Sequence, residues 1–256
     1  MEIYNEEQNK NSASYSEKKI SKANLSSGLA IGKIYLWFAV GLLLTGAVAM
    51  GLPFLMTSIY GGATDEAFNA YMVVLVISLI MYIPCCIAIN IASFAKHAAA
   101  IGIFYVLFAL SFGGLLSCVT LVLPVDTMFY AFFITAGSFA LMGFLGYITK
   151  GKIGMPILFL CAFVFGLTII ALFNLLLFNG SSYIMYYWII SIATLVIFLL
   201  IAAVDTNRVI RNAQNNPNLA SNNTMIIYSA YVLYSDFMII FYYVLRLLAM
   251  FSNNKN

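Results

Sequence analysis

Hydrophobic residues dominate the chain in seven long runs separated by polar breaks. The runs cover roughly residues 34–58, 70–91, 99–123, 128–148, 155–178, 183–204 and 225–250. Each is long enough to cross a bilayer, because a transmembrane helix needs about 20 apolar residues. Inside the bilayer every backbone N–H and C=O needs a partner within the chain, and a helix supplies it within each run. The pattern therefore predicts an all-α integral membrane protein with seven transmembrane helices.

The two ends of the chain differ from this apolar region. Residues 1–33 are rich in Asn, Ser, Lys and Glu and lack apolar periodicity, which indicates a mobile tail. We therefore expect a polar tail at 1–33, a transmembrane domain at 34–250 and a short C-terminal tail at 251–256. The longest break, about 206–224, is polar and rich in Asn, and separates the sixth run from the seventh.

Composition supports a membrane protein and narrows the chemistry. The 256 residues are 63% hydrophobic and only 8% charged, whereas a soluble domain carries about 25% charged residues. The net charge of +3 gives no indication of nucleic-acid binding. The four cysteines lie in apolar runs without metal-ligand spacing, and the chain has one histidine, so we expect no cofactor. These cysteines are Cys85, Cys86, Cys118 and Cys161.

The basic residues predict the orientation, because Lys and Arg concentrate on the cytoplasmic side of membrane proteins. With a cytoplasmic N-terminus, ten of the twelve basic residues lie inside. They are Lys10, Lys18, Lys19, Lys22, Lys33, Lys96, Lys150, Lys152, Arg208 and Arg211. Asp65, Glu66 and Asp126 then lie outside. We expect a multi-pass, monomeric protein of the plasma or inner membrane, with the N-terminus in the cytoplasm and the C-terminus outside.

Small residues in the first run predict a packing face. Gly41, Thr45 and Ala49 recur at intervals of four residues, so they lie on one side of a helix. Small side chains let a neighbouring helix approach closely in a membrane.

Asp236 is the most unusual residue of the chain, because it stands near the middle of the seventh run. An ionised aspartate there costs at least about 2.5–3.5 kcal/mol on insertion scales. Such a group persists by being protonated, by being paired or by facing water, and each of these places it toward the bundle interior. A structural buried hydrogen bond is the alternative to a functional role.

Asp205 is a second candidate, at the end of the sixth run. Its simplest interpretation is a solvated pair with Arg208, one turn away, which would contribute little. Should Asp205 approach Asp236, two carboxylates in a low dielectric would share a proton and act as a proton-operated switch. When both are ionised they would repel each other and offer hard oxygen ligands to Ca²⁺. The run boundaries place Asp236 about one or two turns deeper than Asp205.

Several short motifs in these runs resemble the Bax inhibitor-1 family of membrane proteins, in its small bacterial form. Asp205-Thr206-Asn207-Arg208 is similar to the ending of that family's sixth span, and Tyr234-Ser235-Asp236-Phe237 to its seventh-span motif. Further similar positions are Leu42 to Ala49, Thr135-Ala136, Phe139, Gly146-Tyr147, Thr149-Lys150, Phe241 and Leu245-Arg246. The motifs are specific only in combination, and together they cover residues 34 to 250.

The resemblance implies six helices around a central seventh, and a pH-dependent calcium leak whose pH sensor is an aspartate pair. Asp205 and Asp236 match those aspartates and would also be the candidate Ca²⁺ contacts. The chain departs from the family in having Ile239 where an Asn is usual, and in lacking a basic residue at 70–91, where some members hold a latching arginine. Arg208 is the candidate modulator in place of that arginine.

Three functions remain open from the sequence. The leading hypothesis is a pH-sensitive calcium or cation leak channel, with Ca²⁺ and protons as the species it handles in the lipid bilayer. The alternatives are a non-conducting membrane protein that regulates partners and a proton-coupled solute transporter. We expect no enzyme activity, because Val204-Asp205 and Ser235-Asp236 differ from the Tyr-Asp and Gly-x-Gly-Asp motifs of intramembrane aspartyl proteases. No protein partner is indicated.

Overall fold

The computed structural model describes residues 2–61, 65–119, 123–148, 183–216 and 218–253, and side chains within these ranges at 25–61, 65–119, 123–141, 144, 190–216 and 218–250. Six α-helices and one short 3-10 helix make up this part of the chain. They are α1 (Glu2–Tyr60), α2 (Asp65–Phe94), α3 (Ala98–Val119), α4 (Val125–Ile148), α5 (Tyr183–Asn215), the 3-10 helix η1 (Leu219–Ser221) and α6 (Asn223–Asn253). The described residues contain no strand, so the all-α prediction is confirmed for them.

Five of these helices have stretches long and apolar enough to cross a membrane. The stretches are Leu25–Tyr60, Asp65–Phe94, Ala98–Val119, Ile190–Asn215 and Asn223–Met250. In α4 the apolar stretch is shorter, at Val125–Leu141. The fifth predicted run, 155–178, lies outside the described residues. The helical membrane protein is therefore confirmed, whereas the count of seven spans stays a prediction.

Helix α6, which covers the predicted seventh run, occupies the centre of the described helices. It packs against each of the other five α-helices. Half of the residues in its most apolar stretch are buried, compared with 17% in α1 and in α2. Those outer helices instead expose large apolar side chains such as Leu43, Phe54 and Ile80. Exposed apolar side chains suit a surface that faces lipid, because lipid tails are as apolar as the side chains themselves.

The packing face predicted in the first run is confirmed. Gly41, Thr45 and Ala49 are all buried on α1. A Cβ atom at Gly41 would collide with the hydroxyl group of Tyr105 on α3, so only glycine allows this approach. The Thr45 hydroxyl lies 2.9 Å from the carbonyl oxygen of Gly41 and 2.5 Å from the hydroxyl of Tyr234. The close approach at Gly41 thus joins α1 to α3, and the Thr45–Tyr234 contact joins α1 to the central helix.

Local signals explain where several helices end. Gly61 follows α1 with a φ of +67°, and its N–H donates to the carbonyl of Thr57 at 3.0 Å, which is a glycine C-cap. Lys96 follows α2 with a φ of 57°, and the next N–H, of His97, donates to the carbonyl of Ala92. At the start of α6, the N–H of Met225 donates to the side chain of Asn222 at 3.3 Å, as in an N-cap.

Two helices continue beyond the apolar runs that predicted them. The backbone of α1 is helical from Glu2, through a polar segment that contains no proline. The residues at the end of this polar segment pack against η1. Ala30 is fully buried with Leu219, and the Lys33 Nζ donates to the carbonyl of Ala220 at 2.8 Å. The division at residue 33 and the mobile cytoplasmic tail stay predictions.

Helix α5 extends ten residues past Asp205, to Asn215. Asp205 thus stands at the end of the apolar run, as predicted, but the helix itself continues through the first part of the polar break. The extension is polar overall, but Val209 and Ala213 are buried one turn apart on the same side. That apolar side packs inward and keeps the segment helical, and the connection to α6 shortens to residues 216–222.

Candidate functional site

Asp236 lies on the central helix and faces the bundle interior. Its side chain is only 7% exposed, and its Oδ2 atom has no hydrogen-bond partner among the described residues. Oxygen atoms in such a position usually have a partner, because an unpaired buried polar group costs free energy. The Asp236 carboxyl group is therefore a buried acid with one oxygen atom that has no partner in the part of the chain that the structure describes.

Asp205 and Arg208 form an ion pair on α5. The Nη1 atom of Arg208 donates to Oδ1 of Asp205 at 3.0 Å. The two ends of this pair differ in exposure, since the side chain of Asp205 is 15% exposed and that of Arg208 is 69% exposed. The arginine therefore extends from the exposed surface of the bundle to a carboxylate that is mostly buried.

The contact between α5 and α6 places the two aspartates at a similar depth. The rings of Phe198 and Tyr243 stack across this contact, with centroids 5.9 Å apart. Asp205 follows Phe198 by seven positions, and Asp236 precedes Tyr243 by seven. Because the short connection makes the helices antiparallel, both steps run in the same direction, over about 10 Å. Measured along the helix axes, the aspartates therefore lie within about one helical turn of each other. Each is on the helix face that carries one of the stacked rings.

The charges of the three residues act on one another. Asp236 experiences repulsion from Asp205 and attraction from Arg208, both on α5. The structure thus places Arg208 in contact with Asp205, and both within electrostatic range of Asp236. The role of Arg208 as a substitute for an arginine in the second span stays a prediction.

Four other buried hydroxyl groups lie on the helices around this pair. The Oγ1 atoms of Thr135 on α4 and of Thr206 on α5, and the Oγ atoms of Ser191 on α5 and of Ser235 on α6, are buried and have no hydrogen-bond partner among the described residues. The sequence motifs include Thr135 and Thr206 but indicate no separate role for them. No sequence motif pointed to Ser191 or Tyr243. The seven-residue spacing of Ser191, Phe198 and Asp205 is the signal that could have identified Ser191, because it puts the three on one helix face.

The described residues do not form a metal-binding cluster. The described residues contain no group of three or more His, Cys, Asp and Glu side chains that could hold a metal ion. Ca²⁺ binds six to eight oxygen atoms in its stable protein sites, which Asp205 and Asp236 alone do not supply. The described cysteines, Cys85, Cys86 and Cys118, are free thiols.

Comparison with known proteins identifies the family of the chain. The chain matches the family described as "Inhibitor of apoptosis-promoting Bax1" over residues 29–253. A comparison with curated proteins and one with solved structures gave no match. The matched range contains every described helix except the first part of α1, and it includes Asp205, Arg208 and Asp236. The protein therefore belongs to the Bax inhibitor-1 family of membrane proteins.

Proposed function

We propose that the protein is a pH-sensitive leak channel for Ca²⁺ and similar cations, gated by Asp205 and Asp236. The observation that carries the proposal is the buried Asp236 carboxyl group, which has an unpartnered oxygen and lies within reach of the charge of Asp205. An ionisable residue inside a membrane span marks an ion or proton pathway more often than a structural position.

The gate works through the number of protons that the two carboxyl groups hold. With one shared proton, a carboxyl group would donate to a carboxylate and hold α5 against α6, an interaction that the unpartnered Asp236 Oδ2 atom does not make in the described structure. Loss of that proton leaves two negative charges close together in a medium of low dielectric constant, where their repulsion is strong. The helices then separate, water enters, and the carboxylates contact a cation. The leak therefore increases as the pH rises.

Arg208 adjusts this gate from the aqueous side. Its charge stabilises the ionised carboxylates and so offsets part of their mutual repulsion. Because its side chain is largely exposed, water and salt screen the interaction. The arginine thus shifts the pH at which the gate opens and leaves the pH dependence itself to the aspartates.

Calcium flux into liposomes tests the proposal. The purified protein is reconstituted around a calcium-sensitive dye, and the rate of Ca²⁺ entry is measured over a range of pH. We expect a leak that rises with pH in the wild type and a leak that does not depend on pH in Asp236→Asn, which keeps the shape of the side chain without its charge. Asp126→Asn is the matched control, because Asp126 is exposed in the first turn of α4.

The outcomes separate the proposed leak from the other two functions. Absence of Ca²⁺ entry at every pH, with correctly folded wild-type protein, would contradict the leak and favour a regulatory protein without conduction. Flux of a specific solute that requires a pH gradient would indicate a transporter. Equal pH dependence in the wild type and in Asp236→Asn would disprove the gate while leaving the leak in place.

A further inference from the structure

The aromatic pair Phe198–Tyr243 lies beside the aspartate pair, on the same contact between α5 and α6. Its rings are nearly parallel, with an interplanar angle of 21°. We infer that these two rings form the apolar constriction of the cation route, on the outer side of the aspartates. The inference rests on the proposed leak function, because it identifies a barrier within that same route.

Spacing along α5 arranges polar and aromatic groups in series. Ser191, Phe198 and Asp205 follow one another at intervals of seven residues, so they lie on one face, about 10 Å apart along the axis. Ser191 is fully buried, and its hydroxyl oxygen has no partner among the described residues. A route along this face passes a hydroxyl group, then the aromatic pair, then the carboxyl groups.

The rings suit the role of a barrier. The ring faces are apolar, whereas the Tyr243 hydroxyl at the ring edge is hydrogen-bonded to Thr194 and is subject to the positive charge of Arg246. A cation loses part of its hydration shell at a narrow point between apolar faces, where nothing replaces the lost water, so such constrictions close by losing water. The centroid distance of 5.9 Å lies within the range of directly paired aromatic rings, so the pair bridges the two helices. Hydroxyl and carboxyl groups on either side would hold the ion before and after this point.

The position of the rings couples them to the aspartates. Tyr243 and Asp236 are two helical turns apart on α6, and Phe198 and Asp205 are two turns apart on α5. A separation of α5 from α6 driven by repulsion between the carboxylates therefore also draws the stacked rings apart. One movement would separate both the two carboxyl groups and the two rings.

Substitution of Phe198 tests the constriction in the full-length protein in liposomes. Phe198→Ala should raise Ca²⁺ entry several-fold at the pH where the wild type leaks least, because it removes one ring. Phe198→Leu should stay close to the wild type, since it retains an apolar side chain of similar reach. Tyr243→Ala should repeat the effect from the other helix. Phe112→Ala is the matched control, because Phe112 on α3 is also partly buried and paired with an aromatic ring, that of Tyr82.

A double variant separates the barrier from the pH sensor. Phe198→Ala combined with Asp236→Asn should leak at the raised rate over the whole pH range. Thermal unfolding in detergent identifies any variant whose leak follows from a damaged fold.

The results distinguish this inference from the proposed function. A wild type that leaks with pH, together with a folded Phe198→Ala variant that leaks at the same rate, would overturn the constriction and leave the leak standing. A rise as large in Phe198→Leu or in Phe112→Ala would also overturn it, because general loosening of the bundle would then be the cause. Absence of Ca²⁺ entry in both the wild type and Phe198→Ala would contradict both proposals.

Discussion

Arg208 holds Asp205 at 3.0 Å within one turn of α5, although the arginine is 69% exposed and the aspartate only 15%. The ion pair therefore joins the exposed surface of the bundle to its interior. On its inner side lies Asp236, which is subject to both charges. This geometry places the charge compensation for the aspartate pair on the same helix as one of its members, and α2 contains no basic residue that could supply it.

Removal of the Arg208 charge should shift the pH dependence of the leak. In Arg208→Gln, ionisation of the carboxyl groups loses a stabilising positive charge, so the curve of flux against pH should move to higher pH. The shift should not exceed about one pH unit, because a partly exposed ion pair contributes about 0.2–1 kcal/mol and one unit corresponds to about 1.4 kcal/mol. Arg211→Gln, which changes an exposed arginine on the same helix, is the control. A shift to lower pH would contradict the role given to Arg208.

Tyr234 should contribute to stability without affecting the pH response. Its hydroxyl bonds that of Thr45 at 2.5 Å in the buried contact between α6 and α1. Hydrogen bonds between membrane helices contribute about 0.6 kcal/mol on average and up to about 1.7 kcal/mol. Tyr234→Phe should lower the Tm in detergent by the equivalent of such a bond, and the flux curve should keep its midpoint. Tyr130→Phe, at an exposed position on α4, should leave the Tm unchanged.

Gly113 should tolerate no larger residue, because α1 and α3 are in close contact there. A Cβ atom at this position would lie 2.8 Å from the carbonyl oxygen of Thr45 and 2.7 Å from the Cβ of Val48. Since both contacts involve atoms near the backbone, the helices themselves would have to move. Gly113→Ala should therefore destabilise the protein by about 1–3 kcal/mol, measured by unfolding in detergent. Gly46→Ala has open space around its Cβ and should not be destabilised, so an equal loss in both variants would refute the packing argument.

The predicted orientation can be tested by labelling introduced cysteines. In a variant that lacks the native cysteines, Asp126→Cys should react with a membrane-impermeant maleimide in intact cells. Lys96→Cys should react only after the membrane is permeabilised, because the distribution of basic residues places it in the cytoplasm. Both positions are exposed at helix ends, so accessibility within the protein does not limit the reaction. Labelling of Lys96→Cys in intact cells would contradict the predicted orientation and indicate the opposite one.

The class of the protein followed from the sequence because the bilayer imposes a simple rule. Apolar runs long enough to span the bilayer must be helices. Five of the predicted runs therefore coincide closely with helical stretches that are long and apolar enough to cross a membrane. Asp236 was identifiable for the same reason, since a charged residue inside such a run is costly. The small residues Gly41, Thr45 and Ala49 also marked a packing face that the structure confirms.

The arrangement at the site depended on contacts between helices, which the sequence does not specify. Helices in a membrane are apolar on the lipid side as well as on the interior side, so hydrophobic periodicity indicates poorly which faces meet. The extension of α5 past Asp205 required Val209 and Ala213 to pack inward, and the similar depth of the two aspartates became evident only from the stacking of Phe198 on Tyr243. The sequence alone determined that a membrane-embedded acid exists and where it lies along its helix. Only the tertiary structure decided which groups surround it, because the relative register of two helices is set by how their side chains interlock.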